Sequence, residues 1–155
     1  MAAMAGFCSE IAAQAELSVD FEHTEVPRSL PQDISLCLFR VLQEGLRNAV
    51  KYSGSRHFQV ELRGVPGAIL LLIRDSGAGF NPEAAMKNGG LGLISMRERV
   101  SLVKGTISIA SKPMLGTEIR VQIPIPQARA ASALQINFPI VEGVYGKSED
   151  KDLVG

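Results

Sequence analysis

The chain has 155 residues, which is the size of one domain and leaves little room for a second independent core. Hydrophobic residues make up 46% and charged residues 21%, so the chain can bury enough apolar surface to offset the entropy lost on folding. Sixteen basic residues balance sixteen acidic ones, which excludes the broad positive field of a nucleic-acid or anionic-membrane binder. No apolar run reaches the roughly 20 residues of a membrane helix, and the N-terminus lacks the features of a secretion signal, so we expect a cytoplasmic protein.

The first part of the chain predicts a helix, a strand and a second, longer helix. Residues 2–17 favour helix, with apolar residues at i, i+4 spacing, and residues 17–23 alternate apolar and polar side chains as a half-buried strand does. After a connector with two prolines, residues 33–52 carry the strongest helical periodicity in the chain. Cys8 and Cys37 lack metal-ligand spacing and are predicted to be core residues.

The second part predicts four strands, a long loop and a third helix. Residues 58–62 and 68–74 form a predicted hairpin, and its second strand is apolar throughout, which is typical of a central strand. Residues 75–92 contain many glycines and are predicted to form a loop without regular structure. The last elements are a helix and two strands, over residues 91–103, 106–110 and 117–123.

These elements define one predicted domain over residues 1–126, followed by a tail over residues 127–155. The tail begins with small, Ala-rich sequence and ends with charged residues, as terminal segments often do. Residues 134–144 have strand-like composition without a clear partner, so the tail stays unassigned.

A polar row on the long helix is the first candidate site. Glu44, Asn48 and Lys51 are spaced i, i+4 and i+7, which places a carboxylate, an amide and an ammonium on one face beside the apolar stripe. Such a row suits Mg²⁺ with its waters and phosphate oxygens. The alternative interpretation is a solvated polar face with an ordinary ion pair.

A glycine-rich turn follows the apolar strand. Asp75, Gly77 and Gly79 stand where that strand ends, a common place for sites in mixed α/β architectures. The carboxylate could accept the exocyclic amine proton of adenine while the glycines let the base approach the backbone. A tight turn with an Asp cap is the alternative.

A second glycine cluster precedes the third helix. Gly90, Leu91, Gly92 and Leu93 would direct free backbone N–H groups and the positive helix end at an anion such as phosphate, although a flexible hinge has the same sequence. The segment 80–88 between the two clusters is short and polar enough to be a mobile lid. Gly116-Thr117 begins the last strand, where Thr117 could add a hydroxyl, but this pair is also a common strand entry.

In order and spacing, these four motifs resemble the N, G1, G2 and G3 boxes of the GHKL ATPase superfamily. The resemblance extends over about residues 7–125. Residues 36–41, 43–49 and 90–99 look like the catalytic domain of sensor histidine kinases related to the nitrate and desaturase-regulating sensors.

The resemblance implies a Bergerat ATP-binding fold, which is a two-layer α/β sandwich with helices on one face of a mixed sheet. ATP would lie between the helices and the lid, with Mg²⁺ as cofactor. The domain would donate the ATP γ-phosphoryl to a histidine on a helical phosphoacceptor and dimerisation domain of the same kinase, and a response regulator would be the indirect partner. The parent kinase could be anchored in a membrane, but this domain would contact neither membrane nor nucleic acid.

On the long helix, the resemblance assigns three catalytic or binding residues. Asn48 would ligate Mg²⁺, and Glu44 would orient a metal-bound water or act as a base. Lys51 would approach a phosphate. The related kinases usually follow that lysine with histidine, whereas this chain has Tyr52, which removes any polar contact made by the imidazole.

The other boxes would hold the nucleotide. Asp75 would recognise adenine, with Gly77 and Gly79 shaping the base pocket and Thr117 supporting the adenine end. The backbone of residues 90–93 would line the phosphates.

No phosphoacceptor histidine is apparent, because His23 ends a predicted strand and His57 begins one. The resemblance also implies a dimerising helical hairpin that would carry such a histidine, and neither histidine lies on one. Without that hairpin we expect a monomeric domain that does not phosphorylate itself. Two other functions of the same superfamily stay open: a non-catalytic regulator like the anti-sigma branch, and an ATP hydrolase in which Glu44 activates water. An interaction domain without a ligand would require all four motifs to coincide by chance.

Overall fold

The structure, a computed structural model, describes residues 1–87 and 90–126. In chain order its elements are α1 (Ala2–Ala15), β1 (Ser18–Thr24), α2 (Gln32–Tyr52), β2 (His57–Val65), β3 (Ala68–Asp75), α3 (Pro82–Lys87), α4 (Leu91–Leu102), β4 (Thr106–Ser111) and β5 (Thr117–Pro124). Every predicted helix and strand is present, with bounds that differ by a few residues. Cys8 and Cys37 are buried, as predicted.

The strands form one five-stranded mixed sheet in the order β1-β2-β3-β5-β4. β1 runs parallel to β2, and every other neighbouring pair is antiparallel. β3 lies in the middle of the sheet, which confirms the prediction from its apolar sequence. Its last residue, Asp75, lies opposite Thr117 at the start of β5. Two of the predicted site residues are therefore brought together by strand pairing.

The core lies between the sheet and the helices. On α2, Val41, Leu42 and Leu46 are fully buried, and burial of each such side chain contributes about 1.5–3 kcal/mol. They pack against the alternate residues of β2, β3 and β5 that point to the same face: Phe58, Val60, Leu62, Ile69, Leu71, Ile73, Ile119, Val121 and Ile123. α1 and α4 add Met4, Cys8, Met96 and Val100 to this cluster. The result confirms the predicted mixed sheet with helices on one face.

The prediction of an irregular loop over residues 75–92 was wrong in one part, because α3 forms within it. The side-chain oxygen Oδ1 of Asn81 accepts a hydrogen bond from the backbone N–H of Ala84 at 3.1 Å. Pro82 occupies the first helical position, where its missing N–H costs nothing, and Glu83 lies in the first turn, where the helix dipole favours a carboxylate. These residues form a helix start that the surrounding glycines concealed.

Two predictions fall on residues outside the described part of the chain. One is the tail from residue 127, including the strand-like segment 134–144, and the other is the end of the lid at Asn88. Among the helices of residues 1–87 and 90–126, none has both the length and the apolar composition needed to cross a membrane.

Candidate functional site

A cavity of about 740 Å³ lies between α2, the loop after β3, the start of α4 and the first residues of β5. This volume is in the usual range for small-molecule sites. Ten of the eleven predicted site residues line it: Glu44, Asn48, Lys51, Asp75, Gly79, Gly90, Leu91, Gly92, Leu93 and Thr117. Residues far apart in the sequence thus meet around one space.

The α2 wall of the cavity carries a hydrogen-bonded carboxylate and amide. The Nδ2 group of Asn48 donates to Oε1 of Glu44 at 3.1 Å, and both side chains are half-buried. Gly92 of α4 lies directly against this pair, since a Cβ atom there would be 2.0 Å from Oε1 of Glu44. Lys51 lies one turn further along α2 and is exposed.

This pair fits a magnesium ion. Because Asn48 uses its amide N–H on Glu44, its own side-chain oxygen and the second carboxylate oxygen of Glu44 remain as acceptors. Mg²⁺ prefers oxygen ligands, binds through one or two side chains, and completes its shell with water and phosphate oxygens. Within residues 1–87 and 90–126, no group of three or more His, Cys, Asp or Glu side chains is placed to hold a metal ion. A magnesium ion at this pair would therefore need water and phosphate oxygens as its other ligands.

Asp75 lines the cavity from the end of β3, in a half-buried position. Burial raises the pKa of its carboxyl group, while hydrogen bonds from the backbone of Gly77 and Thr117 lower it. The bond from the Gly77 N–H to Oδ1 is 2.8 Å long and fixes the side-chain orientation. The second carboxylate oxygen has no side-chain partner in the described chain and can accept a proton from a ligand amine.

Gly77 is the one predicted site residue that does not line the cavity. It lies behind Asp75, against the end of α2, where a Cβ atom would be 2.2 Å from the carbonyl oxygen of Ser53. The same carbonyl accepts a hydrogen bond from the N–H of Ala78 at 2.7 Å. Gly77 therefore supports the carboxylate from outside the cavity.

The start of α4 closes the cavity with backbone N–H groups. The first intrahelical bond runs from the N–H of Ile94 to the carbonyl of Gly90 at 3.2 Å. The N–H groups of Leu91, Gly92 and Leu93 precede it and so have no acceptor within the helix. Among residues 1–87 and 90–126 these three donors have no acceptor, and donors at the positive end of a helix can bind an anion. Gly92 places them next to the Glu44–Asn48 pair.

Several lining residues were missed by the motif analysis. Arg47 and Tyr52 on α2 and Phe80 on the lid all line the cavity. Arg47 lies three residues after Glu44 and four before Lys51, so completing the helical row would have found it. Phe80 is held by Ser111, whose hydroxyl accepts its N–H at 2.9 Å, a contact across 31 residues that no local pattern reveals.

The hydroxyl of Ser111 also connects the lid to β5. It donates to the carbonyl of Gly116 and lies 2.9 Å from the hydroxyl of Thr117. The hydroxyl of Thr117 therefore contacts Ser111 within the structure as well as lining the cavity. The two histidines lie elsewhere: both are exposed, and His57 joins Ser18 and Asp20 at the β1–β2 edge.

Comparisons with known proteins identify the family to which this chain is similar. The sequence profile of the family described as histidine kinase-, DNA gyrase B-, and HSP90-like ATPase matches residues 34–127. The signal transduction histidine-protein kinase/phosphatase DegS of Brevibacillus brevis is 36% identical over 107 residues, which cover 69% of this chain and 28% of that protein. DegS of Bacillus subtilis (strain 168) is 40% identical over 104 residues, covering 66% of this chain and 27% of that protein.

A solved structure supports the fold. The histidine kinase domain of the Erythrobacter litoralis EL346 blue-light activated histidine kinase superposes with a TM-score of 0.63 at 19% identity, covering 79% of this chain and 59% of that one. The matched part of this chain spans little more than a quarter of the length of each of the two DegS proteins. Since the family profile covers more than half of its residues, the chain belongs to the histidine kinase-, DNA gyrase B- and HSP90-like ATPase family, as an ATP-binding catalytic domain of the histidine-kinase type.

Proposed function

We propose that this domain binds ATP with Mg²⁺ in the 740 Å³ cavity and transfers the γ-phosphoryl group to a histidine on a helical domain outside the chain. The observation that supports this most directly is the convergence of the polar row of α2, Asp75 and the N–H groups of α4 on that one cavity. Residues 1–126 would form the ATPase domain. In two-component signalling, the phosphoryl group would then pass from that histidine to a response regulator.

The residues of α2 would act on the phosphate end. Asn48 would ligate Mg²⁺ through its amide oxygen, and the ion would neutralise charge on the phosphate oxygens. Glu44, held by Asn48, would orient a metal-bound water or accept the proton that the attacking imidazole loses. Lys51 would bind a phosphate oxygen.

In the transfer, a nitrogen of the acceptor histidine would form the new bond to the γ-phosphorus as the bond to the β–γ bridging oxygen breaks. ADP leaves, and the imidazole proton passes to a base such as Glu44. Most of the rate in such reactions comes from positioning and charge neutralisation. The N–H groups of Leu91, Gly92 and Leu93 would do both for the phosphates.

The other end of the cavity would select the base. Asp75 would accept the exocyclic amine proton of adenine, with Gly79 and Thr117 beside the ring and Gly77 holding the carboxylate. Guanine presents a carbonyl at the same place, so a carboxylate there disfavours GTP. We assign the parent kinase to the nitrate- and desaturase-sensor-like subgroup on its sequence over residues 36–49 and 90–99, and place this domain in the cytoplasm, where ATP is supplied.

Nucleotide binding is tested by calorimetry of the whole chain with ATP, ADP and GTP, each with and without Mg²⁺. We expect ATP and ADP to bind, GTP to bind at least tenfold more weakly, and Asn48→Ala to lose the gain in affinity that Mg²⁺ gives. Gln59→Ala, on the exposed face of the sheet, is the matched control and should bind as the wild type does. ATP affinity in Asn48→Ala that still rises normally with Mg²⁺ would refute the role of Asn48.

Phosphoryl transfer is tested by incubating the chain with labelled ATP and the helical phosphoacceptor domain of its parent kinase. The proposal expects acid-labile label on the acceptor histidine, and none on the chain alone. A non-catalytic regulator would bind ATP and label nothing. An ATP hydrolase would release phosphate at turnovers per minute without any acceptor, so either result would overturn the kinase assignment.

A further inference from the structure

Arg47 completes the polar row of α2. Glu44, Arg47, Asn48 and Lys51 are spaced i, i+3, i+4 and i+7, and all four line the cavity. Arg47 directly precedes Asn48, the proposed magnesium ligand. Its position therefore places a second cation near the phosphate end of the nucleotide.

The guanidinium of Arg47 is held by the N-terminal helix rather than by a carboxylate. Its Cζ atom lies 5.8 Å from the ring centre of Phe7 on α1. Phe7 in turn packs edge to face on Phe39 of α2, with ring centres 6.0 Å apart. Among residues 1–87 and 90–126, no carboxylate lies within ion-pair distance of Arg47. Its charge is oriented by an aromatic face and stays free for an anion.

Arg47 has the chemistry of a phosphate ligand. A guanidinium can bind two phosphate oxygens at once, whereas an ammonium acts as a point charge. Lys51, the other cation of the row, lies over the ring of its neighbour Tyr52, with Nζ 4.9 Å from the ring centre, in a fully exposed position. Arg47 is also exposed, but its aromatic partner lies on another helix, so the packing of α1 on α2 sets the direction of its guanidinium.

We infer that Arg47 binds the triphosphate of the nucleotide and that Phe7 is a positioning residue for it, so that the packing of α1 on α2 sets the affinity for ATP. This rests on the proposed function, because it assumes that ATP occupies the cavity. It adds a role for α1, which contributes no lining residue of its own. A change in how α1 packs would then alter ATP binding without any change in the adenine end.

The test compares ATP with adenosine, which lacks phosphates, on the whole chain with Mg²⁺. We expect Arg47→Gln to weaken ATP binding about tenfold and adenosine binding by less than twofold, as the loss of a charge-assisted contact does. Arg47→Lys should recover part of the loss. The control is Arg40→Gln, an exposed α2 arginine bonded to Gln43 that does not line the cavity, and it should bind as the wild type does.

Phe7→Leu keeps an apolar, smaller side chain at this half-buried position but removes the aromatic face, and we expect ATP binding to weaken about threefold with adenosine unchanged. In the double variant with Arg47→Gln, the Phe7 effect should disappear, because the group it positions is gone. Additive effects, or equal losses for ATP and adenosine, would overturn the positioning role of Phe7. Unchanged ATP affinity in Arg47→Gln would overturn the whole inference. Failure of the proposed function would appear separately, as a wild-type chain that binds no ATP.

Discussion

Gly92→Ala isolates the contact between α4 and the Glu44–Asn48 pair. The new Cβ atom would lie 2.0 Å from Oε1 of Glu44, whereas real Cβ contacts are essentially never shorter than 3.0 Å. The carboxylate oxygen must therefore move by at least 1.0 Å. Its hydrogen bond to Asn48 is 3.1 Å long, and a shift of that size away from Gly92 lengthens and so weakens it.

The effects on stability should nearly cancel. Weakening of the hydrogen bond costs at most about 0.5–1.5 kcal/mol, and the replacement of a helical glycine by alanine returns up to about 1 kcal/mol. We therefore expect the free energy of unfolding in urea to change by less than about 1 kcal/mol. Affinity for ATP with Mg²⁺ should still fall about tenfold, equivalent to about 1.4 kcal/mol, because the pair no longer presents its oxygens together.

Calorimetry and urea unfolding of the same preparation separate the two effects. Gly6→Ala is the matched control, because Gly6 lies within α1 and a Cβ atom there would meet no other atom within 4 Å. This variant should gain about 0.5–1 kcal/mol of stability and bind ATP normally. An alanine at position 92 that leaves ATP affinity unchanged would refute the claim that the Glu44–Asn48 pair must be held in its observed geometry.

Two further predictions concern Asp75 and Ser111. Burial raises the pKa of Asp75 above its ordinary 3.8, so the folded state holds the proton more tightly than the unfolded state does. The protonated carboxyl stabilises the folded state, and this contribution is lost as the pH rises from about 3.8 through the pKa of Asp75 in the folded state. In urea titrations, Asp75→Asn should therefore gain stability relative to the wild type across that pH window. A difference that does not depend on pH would contradict this. Ser111→Ala should lower the free energy of unfolding by about 1–2 kcal/mol and speed cleavage by protease within residues 80–87, because its hydroxyl bonds Phe80 and Gly116. The control Ser108→Ala, on the exposed side of β4, should change neither. Equal cleavage of the two variants would show that Ser111 does not hold this segment.

The helices and strands were predictable because their apolar residues repeat with a clear period. α2 and β3 show this best, since the stripe of α2 and the unbroken apolar run of β3 each correspond to the buried faces of the structure. The repeat of apolar residues along a strand does not show which strands pair. The parallel β1–β2 pair, for example, joins residues nearly forty positions apart in the sequence. The short helix α3 was missed because its start signal, Asn81-Pro82-Glu83, lies among glycines.

The candidate site was predictable in its motifs and less so in its supporting contacts. Asp75 and Asn48 belong to spacings that a sequence displays. The contacts of Ser111 with Phe80 and of Arg47 with Phe7 depend on the tertiary fold, and neither residue pair is close in sequence. Such partners become visible only when the fold has placed their elements side by side.

The glycines around Asp75 are also constrained by close contacts with other backbone segments, which the sequence did not suggest. Gly77 and Gly79 are predicted to let the base approach the backbone, and both also lie against another backbone segment: a Cβ atom would be 2.2 Å from the Ser53 carbonyl at Gly77 and 2.0 Å from the Lys112 carbonyl at Gly79. At Gly116 a Cβ atom would be 2.1 Å from the Asp75 carbonyl. Because backbone atoms cannot rotate away as a side chain can, any larger residue must push these segments apart. The end of α2, the loop after β3 and the β4–β5 turn are thereby locked together around one carboxylate. The glycines thus help to fix the position of Asp75, and Gly79 and Gly116 also have positive φ angles of 60° and 78°, which glycine adopts without strain.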